Sequence, residues 1–213
     1  VVKDDNKHHP YDFVLWFKAV GRYARHIQLW DSPWGRGFPG WHIECSAMSR
    51  KYLGDHFDLH AGGIDLKFPH HSNEIAQSEA ATGVRSVNYW IHGEHLSLPE
   101  GKMSKSEGNS ITLQTLVDKG FSPLALRYLA LTAHYRAKLN FTWDGLQAAQ
   151  NALNNLYSAI SDFTAPAGGA QKFEQAFLAA INQDLGTPQA LAVMWDLIKT
   201  DEVPDAAKLA SLF

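Results

Sequence analysis

One stretch of the chain restricts its fold more than any other. Phe57-Asp58-Leu59-His60-Ala61-Gly62-Gly63 reads as a short strand running into a glycine turn, residues 73–82 as a helix ended by Gly83, and residues 87–96 as another strand. Strands alternating with helices predict an α/β fold with a parallel sheet. Upstream, Trp41, Cys45, Met48 and Tyr52 recur at helical spacing and Gly54 is placed to stop that helix, so Cys45 is expected on it. The first forty residues are rich in Trp, Gly and Pro and end in Ser32-Pro33-Trp34-Gly35-Arg36-Gly37-Phe38-Pro39-Gly40, an ordered loop of turns more than a linker.

A polar loop over residues 99–110 ends this pattern, and the remainder reads as helical. Thr112 and Ser122-Pro123 suit helix N-caps, the second with Pro at the first helical position, and Gly120 separates the two helices. Residues 142–160 form a long helix, Ala165-Pro166-Ala167-Gly168-Gly169-Ala170 a flexible connection, and two further helices follow, the second opened by Thr187-Pro188. No internal repeat is present.

With 213 residues, 45% of them hydrophobic, a packed core and one or two domains are expected. No apolar run approaches a membrane span, and Val1-Val2-Lys3-Asp4-Asp5 has neither region of a signal peptide. Cys45 is the only cysteine, which excludes an intramolecular disulfide and fits a reducing compartment; a cytoplasmic protein with no membrane partner is the expectation. A net charge of −3 weighs against a general basic surface for nucleic acid and leaves room for a local basic patch. The chain lacks an initiator Met and reads at once into an established fold, so a fragment is expected.

Three sets of residues carry chemistry. Lys102 and Lys105 flank Met103 and Ser104 between Gly101 and Gly108, which suits either a solvated turn or a mobile arm that brings ammonium groups to phosphates. His70 and Glu74 are four residues apart, so on a helix both point the same way; they form either a surface pair or, with the thiol of Cys45, a donor set of the kinds zinc accepts. Asp65 follows Gly62-Gly63 where a strand end meets a helix, the usual ligand crevice of an α/β sheet, although Asp is also common in plain turns.

Longer strings tie these sets together. Lys102-Met103-Ser104-Lys105-Ser106 matches the second signature of class I aminoacyl-tRNA synthetases, and residues 39–48 and 58–79 resemble the blocks of the cysteinyl-tRNA synthetase family. The resemblance implies the C-terminal half of a Rossmann-like nucleotide-binding domain followed by an α-helical region. Residues 1–110 would be the catalytic half, 111–162 a helical junction, and 163–213 the start of a helical tRNA-binding domain. It further implies that Cys45, His70 and Glu74 bind one zinc ion that selects the substrate thiolate, with a second cysteine supplied from near the family's N-terminus. Lys105 would contact ATP with Lys102 assisting, Gly62, Gly63 and Asp65 would serve the adenylate side, and Trp41 would line the cysteine pocket. Cysteine, ATP with Mg2+ and tRNA(Cys) are the implied substrates, and a monomer is expected.

The family's first signature, His-x-Gly-His, is not found. His92-Gly93-Glu94-His95 has the letters in the wrong order and lies just before the lysine loop; Gly93 and Glu94 depart from the family's series there, so His92 reads best as a core or strand-end histidine. Downstream, Ala133-His134-Tyr135-Arg136 resembles the family's helical junction, and Asp184-Leu185-Gly186-Thr187-Pro188 is an altered form of its Asp-Phe-Asn-Thr-Pro. Two other readings stand beside the ligase. One is the cysteine ligase of mycothiol biosynthesis on the same scaffold; the other is a catalytically silent zinc- or RNA-binding module, which the missing signature favours for the chain alone.

Overall fold

A computed structural model describes residues 7–98, 111–163 and 166–212. The chain divides into two compact units, Val1–His92 and Gly93–Phe213.

In the first unit β1 (Trp16–Lys18) and β2 (Gly37–Pro39) form an antiparallel pair, with Phe17 opposite Phe38. The expected loop of turns is present over residues 19–36 and is closed at its base by these two short strands into a long-looped hairpin. It runs into α1 (Trp41–Leu53), which closes at Gly54, whose φ of +94° suits glycine. β3 (Phe57–Gly63) and β4 (Val87–Gly93) pair with each other, joined through α2 (Ser72–Thr82). Their contacts climb in step, from Phe57 N–H donating to Ser86 O to Asn88 Nδ2 donating to Asp58 Oδ1, as in a parallel pair. The strand–helix–strand unit read from the sequence is therefore present, and Gly83 ends α2 in the left-handed region at φ 74°.

The burial pattern of this unit is unusual. Among its described residues Val87 is the one buried hydrophobic side chain, whereas Ser46, His70, His71, Glu74 and Ser86 are all buried. Buried polar groups demand partners, and here they have largely each other. Ser46 Oγ donates to Gln77 Oε1 at 2.6 Å, tying α1 to α2.

The second unit has a conventional apolar core. Its strands β5 (Leu96–Ser97) and β6 (Leu139–Asn140) are parallel, and its helices are α3 (Leu113–Asp118), α4 (Pro123–Leu131), α5 (Trp143–Ser161), α6 (Gln171–Asn182), α7 (Thr187–Lys199) and α8 (Asp205–Leu212). Thr112 caps α3 in a reciprocal box with Thr115, Ser122 caps α4 with Pro123 in its first turn, and Thr142 Oγ1 caps α5 by accepting from Gly145 N–H. Leu98, Leu116, Leu129, Phe141 and Leu146 pack into one cluster beneath them.

Three expectations differ in detail. The strand expected over residues 87–96 is broken into β4 and β5, because Glu94 N–H turns away to Tyr135 O. A third helix, α8, follows the two expected; it places Lys208 in a buried position where its Nζ donates to Ile198 O, and such a cap depends on a residue that local pattern does not reveal. The connection before α6 is held at its described end, with Ala167 N–H donating to Ala206 O and Ala170 N–H to Ser211 Oγ.

Between α6 and α7, Asp184 and Leu185 both lie in the left-handed region, at φ 55° and 56°, where residues with a Cβ are uncommon. Asp184 is fastened from outside the turn. Its Oδ1 accepts from Tyr135 Oη at 2.7 Å, its Oδ2 pairs with Arg136 Nε at 3.1 Å, and its carbonyl stands 2.7 Å from His134 Nε2. Trp195 Nε1 donates to Tyr128 Oη, joining α7 to α4.

Leu146, 0% exposed, is at the centre of the apolar cluster. Leu146→Ala should lower the unfolding free energy by about 3 kcal/mol in denaturant titration monitored by circular dichroism, with the far-UV spectrum of the folded state retained.

Candidate metal centre

Two helices and two strand ends build the site. Gly40 starts α1 in an extended conformation, and a Cβ there would overlap the carbonyl of Val14, so the hairpin lies directly against the helix start. The first turns of α1 carry Trp41, His42 and Cys45. Facing them is the start of α2, reached through an extended Phe68 and a cis Phe68–Pro69 bond, with Ser72 Oγ donating back to Lys67 O. His70 and Glu74 then sit one turn apart and point the same way.

The thiol of Cys45, an imidazole nitrogen of His70 and a carboxylate oxygen of Glu74 all lie within 4.8 Å of one another; so do donor atoms of His60, His71 and Glu74. Glu74 is common to both groups. It is 3% exposed, His70 4% and His71 3%, so the carboxylate is held away from water among imidazoles.

The polar contacts around Glu74 are incomplete in an informative way. His70 Nε2 stands 3.0 Å from Glu74 Oε1, yet that oxygen receives no directed hydrogen bond. His70 Nδ1 lies 2.7 Å from His42 Nδ1, and one of the two must donate. When His70 donates there and Glu74 is ionised, the bare Nε2 presents a lone pair beside a carboxylate oxygen that also lacks a hydrogen, and only a proton or a cation can sit between them. Two electron pairs converging in a dry interior are what a cation satisfies, and an imidazole held by an outer partner at its other nitrogen is the usual form of a metal-ligating histidine. The residues present therefore fit a metal ion.

Electrostatics point the same way. Burial pushes the Glu74 carboxyl up to about 7. Burial, then the neighbouring Glu74 and Glu44 carboxylates, raise the Cys45 thiol, so without a cation it stays protonated and is a poor nucleophile. Burial first, with the nearby imidazoles His60, His92 and His70 adding, lowers His71 to about 4; burial is also the main cause of the lowering at His42, His60 and His92. These four rings are neutral at pH 7 and competent as donors or ligands.

Sequence reasoning singled out Cys45, His70 and Glu74 and missed the imidazole wall beside them. His71 Nδ1 is 2.9 Å from His92 Nε2, and Trp90 lies 4.7 Å from the ring of His60 and 4.8 Å from that of His71. His92, read as a core or strand-end histidine, is at the end of β4 and part of this wall. Trp90 and His92 are two residues apart on a strand and so share a face, a signal that was available.

The remaining expected residues are placed as follows. Trp41 is 62% exposed, its ring 4.8 Å from His70. Gly62, the penultimate residue of β3, lies against His71, and a Cβ on it would meet the His71 Cε1 at 2.7 Å. Asp65 lies in an exposed turn just past the end of β3, its side chain folded over Gly63. Lys102 and Lys105 lie outside the described residues. No described helix is long and apolar enough to cross a membrane.

The sequence profile described as tRNA synthetases class I (C) catalytic domain matches residues 1–151. The chain is 54% identical over 200 residues to cysteine–tRNA ligase 1 of Burkholderia lata, covering 92% of this chain and 42% of that protein. It is 43% identical over 235 residues to the cysteine–tRNA ligase of Treponema denticola, covering 98% and 48%, and 48% identical over 221 residues to that of Thioalkalivibrio sulfidiphilus, covering 100% and 47%. The chain thus spans less than half the length of these relatives. In fold it is similar to LeuRS of Agrobacterium radiobacter K84, solved as a ternary complex with tRNA and LeuAMS. The TM-score is 0.60 at 16% identity, covering 86% of this chain and 31% of that one.

The raised Glu74 pKa means that the metal-free fold favours the protonated acid. Its contribution to stability is complete below the ordinary carboxylate pKa of 4.5 and is lost as pH rises through about 7. In chelator-treated protein, the wild type should lose a few kcal/mol relative to Glu74→Gln between those limits, read by denaturant titration at each pH. Added divalent metal should remove the difference.

Proposed function

Because the chain belongs to the class I tRNA synthetase (C) catalytic-domain family, we propose that it serves cysteine–tRNA ligation: ATP and cysteine give cysteinyl adenylate and pyrophosphate, and the cysteinyl group then passes to tRNA(Cys). The observation that carries the amino-acid assignment is the buried Glu74 Oε1, which lacks a hydrogen-bond partner beside His70 Nε2 and within reach of the Cys45 thiol.

In this reading Cys45, His70 and Glu74 hold one zinc ion. Zinc, when bound, accepts a thiolate far more readily than a hydroxyl at neutral pH, so it separates cysteine from serine where shape alone gives little discrimination. His42 orients His70 through the Nδ1 contact. His60 and His71, packed on Trp90, and His92, set against His71, are neutral and keep water from the carboxylate, and Trp41 forms a wall for the amino acid. The chemistry takes place away from the sulfur. Gly62 and Gly63 allow close approach of the nucleotide at the strand end, Asp65 hydrogen-bonds on the adenylate side, and Lys102 and Lys105 bring positive charge to the phosphates of Mg2+-bound ATP. Positioning and charge stabilisation suffice, and no protein nucleophile is required. Residues 1–110 supply the catalytic half, 111–162 a helical junction and 163–213 the start of the tRNA-binding helices, in a cytoplasmic monomer.

Cobalt substitution tests the reading on the chain itself. Co2+ should bind at one equivalent with a sulfur-to-metal absorption band that is lost in Cys45→Ala. Free cysteine should intensify that band by adding a second thiolate, and serine should leave it unchanged. A cobalt spectrum indifferent to cysteine would overturn the assignment.

A further inference from the structure

The site formed by Cys45, His70 and Glu74 needs only one side of the Glu74 carboxylate. Its Oε1 stands 3.0 Å from His70 Nε2, whereas its Oε2 has a different imidazole before it, with His60 Nε2 at 3.5 Å. That second separation is long for a hydrogen bond and close to the edge of a tetrahedron whose corners lie about 2.0–2.1 Å from a central ion. His71 completes a group of three: one of its ring nitrogens lies within 4.8 Å of donor atoms of both His60 and Glu74. His71 precedes Glu74 by three residues at the start of α2, so the two project to one side of the helix.

The two consecutive histidines are held alike. His70 Nδ1 meets His42 Nδ1 at 2.7 Å, and His71 Nδ1 meets His92 Nε2 at 2.9 Å. When His71 donates to His92, its Nε2 keeps a free electron pair, the form in which a histidine takes a metal while an outer partner fixes its ring. That nitrogen opens onto β3. Gly62 is two residues after His60 and shares its face of the strand, and a Cβ there would stand 2.9 Å from His71 Nε2. A side chain at 62 would crowd the nitrogen; glycine leaves it open. Glu74 and His71 are buried and His60 is partly exposed, so the group is dry on two corners and reaches solvent at the third. Three protein donors leave a fourth position for water. With two imidazoles, one carboxylate oxygen and no sulfur, the group suits Zn2+, Ni2+ or Co2+.

We propose that His60, His71 and Glu74 bind a second divalent transition-metal ion, the Glu74 carboxylate being shared between it and the ion held by Cys45 and His70, one oxygen to each. The second seat is the weaker, because it lacks a thiolate and its ion is repelled by the first, so it fills when metal exceeds one equivalent. The inference rests on the reading of Cys45, His70 and Glu74 as a metal site, and on no assumption about which amino acid the chain serves.

The test is a cobalt titration of the metal-free 213-residue chain carried past one equivalent, followed by visible absorption and electron paramagnetic resonance. The sulfur-to-metal band should saturate at one equivalent while ligand-field absorption goes on rising to two. In the all-cobalt protein the paramagnetic signal per ion should fall as the second equivalent enters, because the shared carboxylate couples the two ions. When the first equivalent is Zn2+, which the thiolate holds, the signal of the cobalt added next should stay whole. His60→Ala should abolish the second step and keep the sulfur band. His92→Ala, which removes only the outer partner of His71, should weaken the second step by about 10- to 100-fold and leave the first unchanged. If His60→Ala loses the sulfur band it has not folded, and His92→Ala decides. Binding that stops at one equivalent, a sulfur band that collapses as more cobalt is added, or an undiminished paramagnetic signal at two equivalents would each overturn the proposal. So would a second equivalent indifferent to both substitutions, which would belong to exposed histidines such as His8 and His9. Absence of the sulfur band from the wild type would remove the first ion and the pairing with it. Indifference of an intact sulfur band to cysteine would sink the ligase reading and leave the second ion standing.

Discussion

A carboxylate that has left water without finding a hydrogen bond for each of its oxygens is the constraint around which the first unit is organised. Glu74 stands where α2 begins, and what surrounds it is chosen to be uncharged: the raised Cys45 thiol and the lowered imidazoles of His42, His60, His71 and His92. In an ordinary core, apolar side chains would fill this volume. Here Val87 is the one buried hydrophobic among the unit's described residues, so cohesion between α1, α2 and the strand pair rests on polar contacts such as Ser46 with Gln77. Such an interior is strong only when every partner is present. A site and a structural core have become one object.

The second unit shows the opposite economy. Leu116 and Leu146 are fully buried, and α4 and α5 close over them with side-chain caps at both N-termini. It can hold its shape by exclusion of water alone, which leaves its polar residues for joints such as Tyr128 with Trp195.

What could be read from sequence follows from this contrast. Local rules act within a few residues, and they succeeded where the determinant is local: Gly54 and Gly83 as helix stops, Thr112, Ser122 and Thr142 as caps, and the step of four from His70 to Glu74 that aligns them on one turn. They were silent where the determinant is tertiary. The spacing of Trp90 and His92 shows that they share a strand face, but nothing near His60 or His92 in the chain announces that a strand pair and a helix start bring both to His71. The interruption between β4 and β5 depends on the carbonyl of Tyr135, some forty residues on, and the buried position of Lys208 on the carbonyl of Ile198. Gly62 is an intermediate case. Its value to a nucleotide came from resemblance, whereas the ring of His71 pressed against it is a demand made by the fold.

The turn at Asp184 and Leu185 combines two roles that could be inherited separately. Its contour comes from two consecutive left-handed residues, and its adhesion comes from the Asp184 carboxylate gripping Tyr135 and Arg136. Glycine would supply the contour more cheaply and keep only the carbonyl contact with His134; aspartate adds the carboxylate grip, at the cost of strain. A lineage that replaced Asp184 by glycine would keep the path of the chain while loosening the α6–α7 hairpin from the segment before β6, which would then hold it through the His134 and Thr187 contacts alone. Keeping aspartate there gives the angle between these parts the character of a fixed mount, where glycine would make it a swivel.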